Sequence, residues 1–569
     1  MSALRSGGRL LADQLALHGC QLAFCVPGES YLALLDGLYD HRDRLRVITC
    51  RHETAAANAS EAYGKITGRP GVCMVTRGPG AMQAAVGLHT ARQDSTPLVL
   101  LVGQISRGHR GREAFQEIDC RQVFGSIAKG VFEIDDPNRI PEVVAGAFAL
   151  AAGGRQGPVV ISLPEDALTQ LCDVPDAEPY RASEPVADPR QISALRAQLE
   201  TSRRPLVLVG GGPWDAAACA QLSAWATASG LPVAASFRRQ DIVDNQLGCY
   251  VGDVGLGINP RLAQRIGEAD LLIAVGPRLT EIETQGYRLL RVPVPEQPLV
   301  HVHPDPGELG RVYQPTLAIT AGMRSFAAAV NDAVSVDGRR WAQWSQAARA
   351  DYEQWSEPTA RPERSNVDLG EIVSVLGRCM PENTIYCNGA GNYTVWLHRY
   401  LRYRGWGTQL APQSGAMGYG IPAALAAQLC HPQRAVVAFA GDGCFQMCGQ
   451  ELATIVQERL PILVIVANNR MLGTIRMHQE RRFPGRVIAT DLINPDFAAY
   501  ARAFGLHAER VKRNDEFEAA LTRARQAGGP ALIELLTDPE ALTPTASLSE
   551  TRARSPASEI DPGETECDS

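Results

Sequence analysis

Short runs that are apolar almost throughout alternate, along most of the chain, with longer segments whose apolar residues recur every three or four positions. Runs 71–76, 97–102, 158–163, 205–209, 269–275, 435–440 and 462–467 are of the first kind, interrupted only at Thr76, Ser162 and Asp270. A strand buried on both faces of a parallel sheet needs that continuous pattern. Between them, segments 9–19, 52–67 and 141–152 carry helical spacing, and an Ala-rich helix is expected after Gly80. Shorter strands are expected at 23–26, 45–49 and 299–302. Strand and helix in alternation predict α/β domains built on doubly wound parallel sheets.

Three such domains are expected, at residues 1–175, 191–340 and 367–540. Residues 173–190, rich in Pro, Asp and Ala, read as a linker. Residues 341–366, with Trp341, Trp344 and Trp355 among polar neighbours, read as a connecting helix and linker. Residues 541–569 are mostly Ser, Thr, Pro, Glu and Asp, and predict a disordered tail. The first and third domains share an architecture, which suggests an old duplication.

The chemistry concentrates after two strands of the third domain. Gly441-Asp442-Gly443 follows the apolar run 435–440, and Asn468-Asn469 follows the run 462–467. In open α/β sheets the carboxyl edge of the strands is where ligands sit. Glycines at 441 and 443 let backbone amides approach a phosphate. Asp442 offers one hard oxygen ligand, and Asn469, 27 residues later, offers a second. Magnesium accepts one or two such side chains with phosphate and water completing its shell. A tight turn and a strand-ending Asn pair is the plain alternative.

Composition removes other classes. The 569 residues are 45% hydrophobic and 21% charged, which is ordinary for a globular protein. A net charge of −7 disfavours nucleic-acid or anionic-membrane binding by the surface as a whole. No apolar run approaches the roughly 20 residues that span a bilayer, and no signal pattern opens the chain. The 14 cysteines contain no CxxC pair and read as small buried apolar residues in a reducing compartment. A cytoplasmic protein is expected, with no nucleic-acid and no membrane partner.

The Gly-Asp-Gly to Asn-Asn pattern resembles the thiamine diphosphate motif. Arg51-His52-Glu53, Glu61–Gly64, Val75–Gly80, Gly103-Gln104, Ala114–Glu117 and Gly415–Gly420 extend the resemblance to the acetolactate synthase family over about residues 3–545. The resemblance implies three domains: pyrimidine-binding, central Rossmann-like and diphosphate-binding. It implies magnesium held by Asp442, Asn469 and the Met471 carbonyl, with Gly441, Gly443 and Cys444 against the diphosphate. Gly389 and Asn392 would add diphosphate contacts, although these glycines also suit a simple turn. Gly415 and Met417 would accept from the pyrimidine amino group, and the Met417 side chain would wedge under the bent cofactor. Glu53 would bond the pyrimidine nitrogen and switch the ring to its imino form, which then serves as the base. Standing alone, Glu53 is also a favourable first-turn helix residue. Phe115 and Gln116 would face substrate, or form an ordinary helix start.

The implied activity is decarboxylation of a pyruvate-like 2-keto acid, followed by addition of the resulting enamine to a second carbonyl compound. The alternative is a decarboxylase or lyase on the same cofactor, acting on a 2-keto acid or an acyl-CoA without ligation. A scaffold that only binds cofactor is disfavoured by the joint presence of Glu53, Asp442 and Asn469. The family builds each site from two subunits, which implies a homodimer or homotetramer.

Several positions depart from the family. Gly276–Glu281 keeps Arg278, the candidate for the substrate carboxylate, but lacks the acidic pair near flavin, so FAD is left open. Glu165 stands where the family has lysine. His478 replaces a pocket tryptophan in segment 474–483, expected to be a helix over the pocket mouth. With Arg476, Arg481 and Arg482 that helix is either an anion site or a solvated basic face. The glycines 210–212 do not spell GxGxxG and suit close packing, and His301 and His303 read as structural.

Overall fold

The computed structural model describes residues 4–358 and 367–555. The chain divides into two compact units: Met1–Trp355 with Tyr403–Ser414, and Ser356–Arg402 with Gly415–Ser569.

The first unit holds two parallel sheets. The N-terminal one contains β1 (Leu22–Cys25), β2 (Arg46–Thr49), β3 (Gly71–Val75), β4 (Leu98–Gln104), β5 (Gly130–Glu133) and β6 (Pro158–Pro164), in the order β2-β1-β3-β4-β6-β5. All its pairings are parallel. Strand β5 lacks a continuous apolar run because it lies at the sheet edge and is half-buried. Two helices matter for the site. Helix α1 (Glu53–Thr67) is capped by His52 and ends on Gly68 at φ 70°, a conformation that favours glycine. Helix α2 (Pro79–Asp94) opens on proline, whose fixed φ suits a first turn.

The two helices share a buried charge cluster. Lys65 contacts Asp94 and lies 3.2 Å from Glu61. Its ammonium also donates to the Ala411 carbonyl at 3.0 Å. Thr96 donates to Glu61 at 2.7 Å, and Asp94 accepts from the Gln413 and Ser414 amides at 3.0 and 3.2 Å. Every charge is paired, as burial demands.

The central sheet contains β7 (Pro205–Val209), β8 (Val233–Ala235), β9 (Tyr250–Asp253), β10 (Leu271–Val275), β11 (Leu299–His303) and β12 (Leu317–Thr320). Its order, β9-β8-β7-β10-β11-β12, is that of a Rossmann fold. The segment after residue 337 is not a free connector. Trp341 is 1% exposed in the central core, and its indole donates to Ser229 and Gly230 carbonyls. Helix Ala342–Ser356 continues from it, while 359–366 fall outside the described residues.

In the second unit, β13 (Ile385–Asn388), β14 (Val436–Gly441), β15 (Leu463–Asn468), β16 (His507–Val511) and β17 (Ala531–Leu536) pair in the parallel order β13-β14-β15-β17-β16. The N-terminal domain repeats this order in β1-β3-β4-β6-β5. After β14 comes the short helix α3 (Asp442–Gln446), and after β15 comes α4 (Gly473–Arg482). Among the described residues, no helix is long and apolar enough to cross a membrane.

The expected disordered tail is corrected at its start. Residues Ala541–Thr543 and Ala546–Ser547 form an antiparallel hairpin, and α5 (Leu548–Ala553) follows with a Ser547/Glu550 capping box. Composition missed this because few contacts suffice: Leu542 and Leu548 are buried, and Arg552 pairs with the fully buried Glu480 of α4 at 2.6 Å. Residues 556–569 lie outside the described ones. The Arg552 hydrogen bond, helped by the Gly485 amide and Arg476, holds Glu480 down at about 2. A depressed carboxylate stabilises the fold above its unfolded pKa and loses that contribution as pH falls toward the folded one. Arg552→Ala should therefore lower stability by about 1–3 kcal/mol at neutral pH, measured from urea midpoints. The difference from wild type should shrink as pH falls from about 4.5 toward about 2.

Candidate active site

The register of two strands brings the candidate metal ligands to one edge. Gly441 stands opposite Ala467 in the β14–β15 ladder, so the turns that follow emerge side by side. Residues 27 apart in sequence thereby become neighbours. Asp442 is 3% exposed, and burial pushes its carboxyl above the ordinary range. Three donors offset that cost: Gly443 N at 2.9 Å, Arg470 N at 2.8 Å and Asn494 Nδ2 at 2.7 Å. Arg470 pays for its place with φ 58°, a left-handed conformation held by the hydrogen bonds of its amide to Asp442 and Asn468. Asn469 accepts from Met471 N at 3.2 Å, and the Met471 carbonyl from Gly473 N at 3.0 Å.

A cavity of about 260 Å³ opens over these turns. Gly441, Asp442, Gly443, Cys444, Asn469 and Met471 line it, as do Asn392, Gly415 and Met417. Leu472–Ile475, at the start of α4, form part of its wall, with Thr537 and Ala541 also on the lining. Gly443 packs closely on Leu472: a Cβ there would lie 2.8 Å from Leu472 Cδ2, so the leucine would have to shift. Gly389 stands behind the cavity: its amide bonds the Tyr393 hydroxyl at 3.1 Å, and a Cβ would meet Cys444 Sγ at 2.5 Å. Cys444 Sγ accepts from Gly418 N at 3.2 Å, and Asn392 is bonded to Thr474.

Asn468 and Asn494 form the support that sequence did not reveal. Asn494 Nδ2 bridges Asp442 and Asn468, the latter at 2.9 Å, and Asn468 Nδ2 donates to Glu534 at 2.8 Å. Glu534 is buried in β17 and also receives Arg510 at 2.8 Å. Asn494 precedes a proline and reads as a turn residue, so nothing in the sequence ties it to residue 442.

The donor set decides what could bind. Among the described residues no group of three His, Cys, Asp or Glu side chains could hold a metal. One carboxylate, one amide oxygen and one carbonyl suit magnesium only when phosphate oxygens share its shell. Glycine-lined walls leave room for that phosphate. The residues fit a magnesium-bridged diphosphate.

In the first unit, Glu53 is the half-exposed first residue of α1. The turn Arg77–Gly80 adjoins both it and Gln116. A Cβ at Gly80 would lie 3.2 Å from Glu53 Oε1, and one at Gly78 would lie 2.9 Å from Gln116 Cβ. Phe115 is 72% exposed, and residues 113–118 form a turn rather than a helix start, with Gln116 at φ 64°. Arg278 lies elsewhere in this unit. It donates to the Gln93 carbonyl at 2.8 Å and lines a second cavity of about 300 Å³ with Glu281, Glu283, Glu308 and Arg311. Three carboxylates against two guanidinium groups make a poor cradle for the diphosphate of a flavin. The Gly210–Gly212 turn packs on Gly276, whose carbonyl oxygen would be 2.0 Å from a Cβ at Gly211.

The remaining departures find plain partners. Glu165 accepts from Ser106 at 2.8 Å and pairs with Arg77 at 3.4 Å. Arg476 is engaged by Glu480 and Asp491, while His478, Arg481 and Arg482 are exposed. His301 bonds the Pro277 carbonyl at 2.9 Å, and burial holds His303 down at about 4.

Three family models match the chain: "Thiamine pyrophosphate enzyme, N-terminal TPP binding domain" at residues 5–123, the central domain at 192–330 and the C-terminal TPP binding domain at 389–535. The acetolactate synthase large subunit of Corynebacterium glutamicum is 30% identical, over 94% of this chain and 87% of its own length. That of Parasynechococcus marenigrum is 32% identical, over 93% and 87%. The isozyme 2 large subunit of Escherichia coli is 30% identical, over 94% and 96%.

The chain belongs to the acetolactate synthase large-subunit family. It is a thiamine-diphosphate-dependent enzyme of the acetolactate synthase type. Each six-stranded or related parallel sheet corresponds to one of the three thiamine pyrophosphate enzyme domains. For this member of the family, the outer support of the metal side is the part open to direct test. Asn494→Ala should weaken magnesium-dependent uptake of thiamine diphosphate by about 10–100-fold in calorimetry, as loss of a partner that orients a metal ligand does.

Proposed function

We propose that the enzyme removes carbon dioxide from a pyruvate-like 2-keto acid and joins the remaining carbon unit to a second carbonyl compound. The observation that carries this reading is the glycine-walled cavity over Asp442 and Asn469, in a chain of this family. When bound, thiamine diphosphate would supply a carbon nucleophile and a cationic thiazolium ring able to take up the electron pair that decarboxylation leaves.

This chain's residues do the rest. Asp442, Asn469 and the Met471 carbonyl would hold magnesium against the diphosphate, with the Gly441–Gly443 amides beside it. Asn392 and Cys444 border that end. Carbonyls of Gly415 and Met417 accept from the pyrimidine amino group. Glu53 would bond the pyrimidine ring nitrogen. Gln116 faces substrate. Arg278, which bonds the Gln93 carbonyl and lines the second cavity of the first unit, is the candidate for a substrate carboxylate. Flavin is not part of this reading, and an absorbance spectrum showing flavin bands would add it.

The reading includes a homodimer or homotetramer acting in the cytoplasm, with Glu53 of one copy serving the cavity of another. The 13 cysteines among the described residues are all free, in keeping with a reducing compartment.

With thiamine diphosphate, magnesium and pyruvate the purified protein should release carbon dioxide and form acetolactate. Carbon dioxide with free aldehyde alone would favour a simple decarboxylase. Glu53→Gln should lower turnover by about 10²–10⁴-fold while leaving magnesium-dependent cofactor uptake measurable. Mixing Glu53→Gln with Asp442→Ala, each inactive alone, should restore part of the activity if subunits exchange, and sedimentation should find no active monomer.

A further inference from the structure

A loop that carries a candidate substrate-facing residue is held in an unfavourable backbone state. Gln116 has φ 64° and Glu113 has φ 52°, both in the left-handed region that residues with a Cβ avoid. Such a conformation persists only where its surroundings enforce it. Part of the enforcement is local, since the Glu117 carboxylate accepts from the amides of Gly111 at 2.7 Å and Ala114 at 3.0 Å.

The Gln104 side chain adds a bond to the Ile118 carbonyl at 2.8 Å, and a buried cation supplies a further restraint. Arg77 is 7% exposed, and its Nε donates to the Phe115 carbonyl at 3.1 Å. That carbonyl belongs to the peptide that joins Phe115 to Gln116. The two terminal nitrogens of the same guanidinium are taken by other elements: one lies 3.4 Å from Glu165, at the start of the helix after β6, and the other 3.2 Å from Glu29, in the loop after β1. Ser106, after β4, donates to Glu165 at 2.8 Å and holds that anchor in turn. Three segments at the carboxyl edge of the N-terminal sheet thus meet on Arg77, and a fourth, at Ser106, braces one of them. The next residue, Gly78, has φ 48° and lets the Gln116 backbone approach to where a Cβ would stand 2.9 Å from its carbonyl oxygen. At the other end of the same turn, Gly80 abuts Glu53.

We propose that Arg77 is a positioning residue: it fixes the Phe115–Gln116 peptide so that Gln116 meets the 2-keto acid, and Glu165 and Glu29 aim it. This rests on the proposed function, in which Gln116 faces substrate. Arginine is required because three donors must point in three directions at once, which the single ammonium of lysine cannot do. Glu165, where the family has lysine, then serves as an anchor for a cation and not as a substrate contact.

The test is steady-state kinetics of the magnesium- and thiamine-diphosphate-loaded enzyme with pyruvate, on Arg77→Ala, Arg77→Lys, Glu165→Gln, Gln116→Ala and the Arg77→Ala/Gln116→Ala double variant. Arg77→Ala should raise KM tenfold or more with a smaller change in kcat. Cofactor Kd and the thermal midpoint should stay near wild type, Arg77→Lys should fall between the two, and Glu165→Gln should move KM in the same direction by less. In the Gln116→Ala background Arg77→Ala should add little, because coupled residues are not additive. An unchanged KM in folded Arg77→Ala overturns the inference. So do full additivity in the double variant, or KM and cofactor Kd rising together with a fallen midpoint in every Arg77 and Glu165 variant. Wild-type enzyme that turns over no 2-keto acid would instead defeat the proposed function, and that result is read before any variant is made.

Discussion

A carboxylate taken out of water is the constraint around which the second unit is built. Asp442 has almost no exposure, and left without partners it would take up a proton or unfold its surroundings. Three hydrogen bonds prevent that, and each depends on a different element. The ladder between β14 and β15 sets where the Arg470 amide arrives, and the loop beyond α4 delivers Asn494. The chemistry of the edge follows from that register. A slip of one residue between the two strands would turn alternate side chains to the opposite face and separate Asp442 from the Asn pair.

Much of this was legible in the chain because local and global signals agree there. The runs 435–440 and 462–467 are apolar at every position, so their burial, and the strand ends at which the polar residues follow, could be read directly. The helix that Glu53 opens was legible for a related reason: helical spacing starts at residue 52 and stops at a glycine, residue 68. Strand β5 was missed because Gly130–Glu133 is half-buried at an edge and carries no apolar run. Asn494 and Glu534 were missed because their roles depend on contacts 52 and 66 residues away in sequence, which no spacing rule reaches.

Composition misled at two places, for the same physical reason. The segment beyond residue 540 looks too polar to order, yet one capping box, two buried leucines and one guanidinium on a buried glutamate hold it. The tryptophans after 340 read as part of a connecting helix and linker; the helix is present at Ala342–Ser356, yet Trp341 just before it belongs to the central core. An average over a window hides a few well-placed groups, and a few groups are enough when the surface they join is already formed. The segment 113–118 is a third case, where a helix start was an open reading and backbone strain, invisible to composition, decides against it.

Helix α1 has a consequence that reaches beyond its own length. Its first residue is Glu53, and about 18 Å further on, at 1.5 Å per residue, Lys65 is locked among Glu61, Asp94 and the Ala411 carbonyl. A rod moored at one end by paired charges in a dry interior can neither slide along its axis nor roll. The placement of the acid at its tip is thus inherited from ionic contacts three turns away, and drift at that mooring would blur the tip without touching any residue near it.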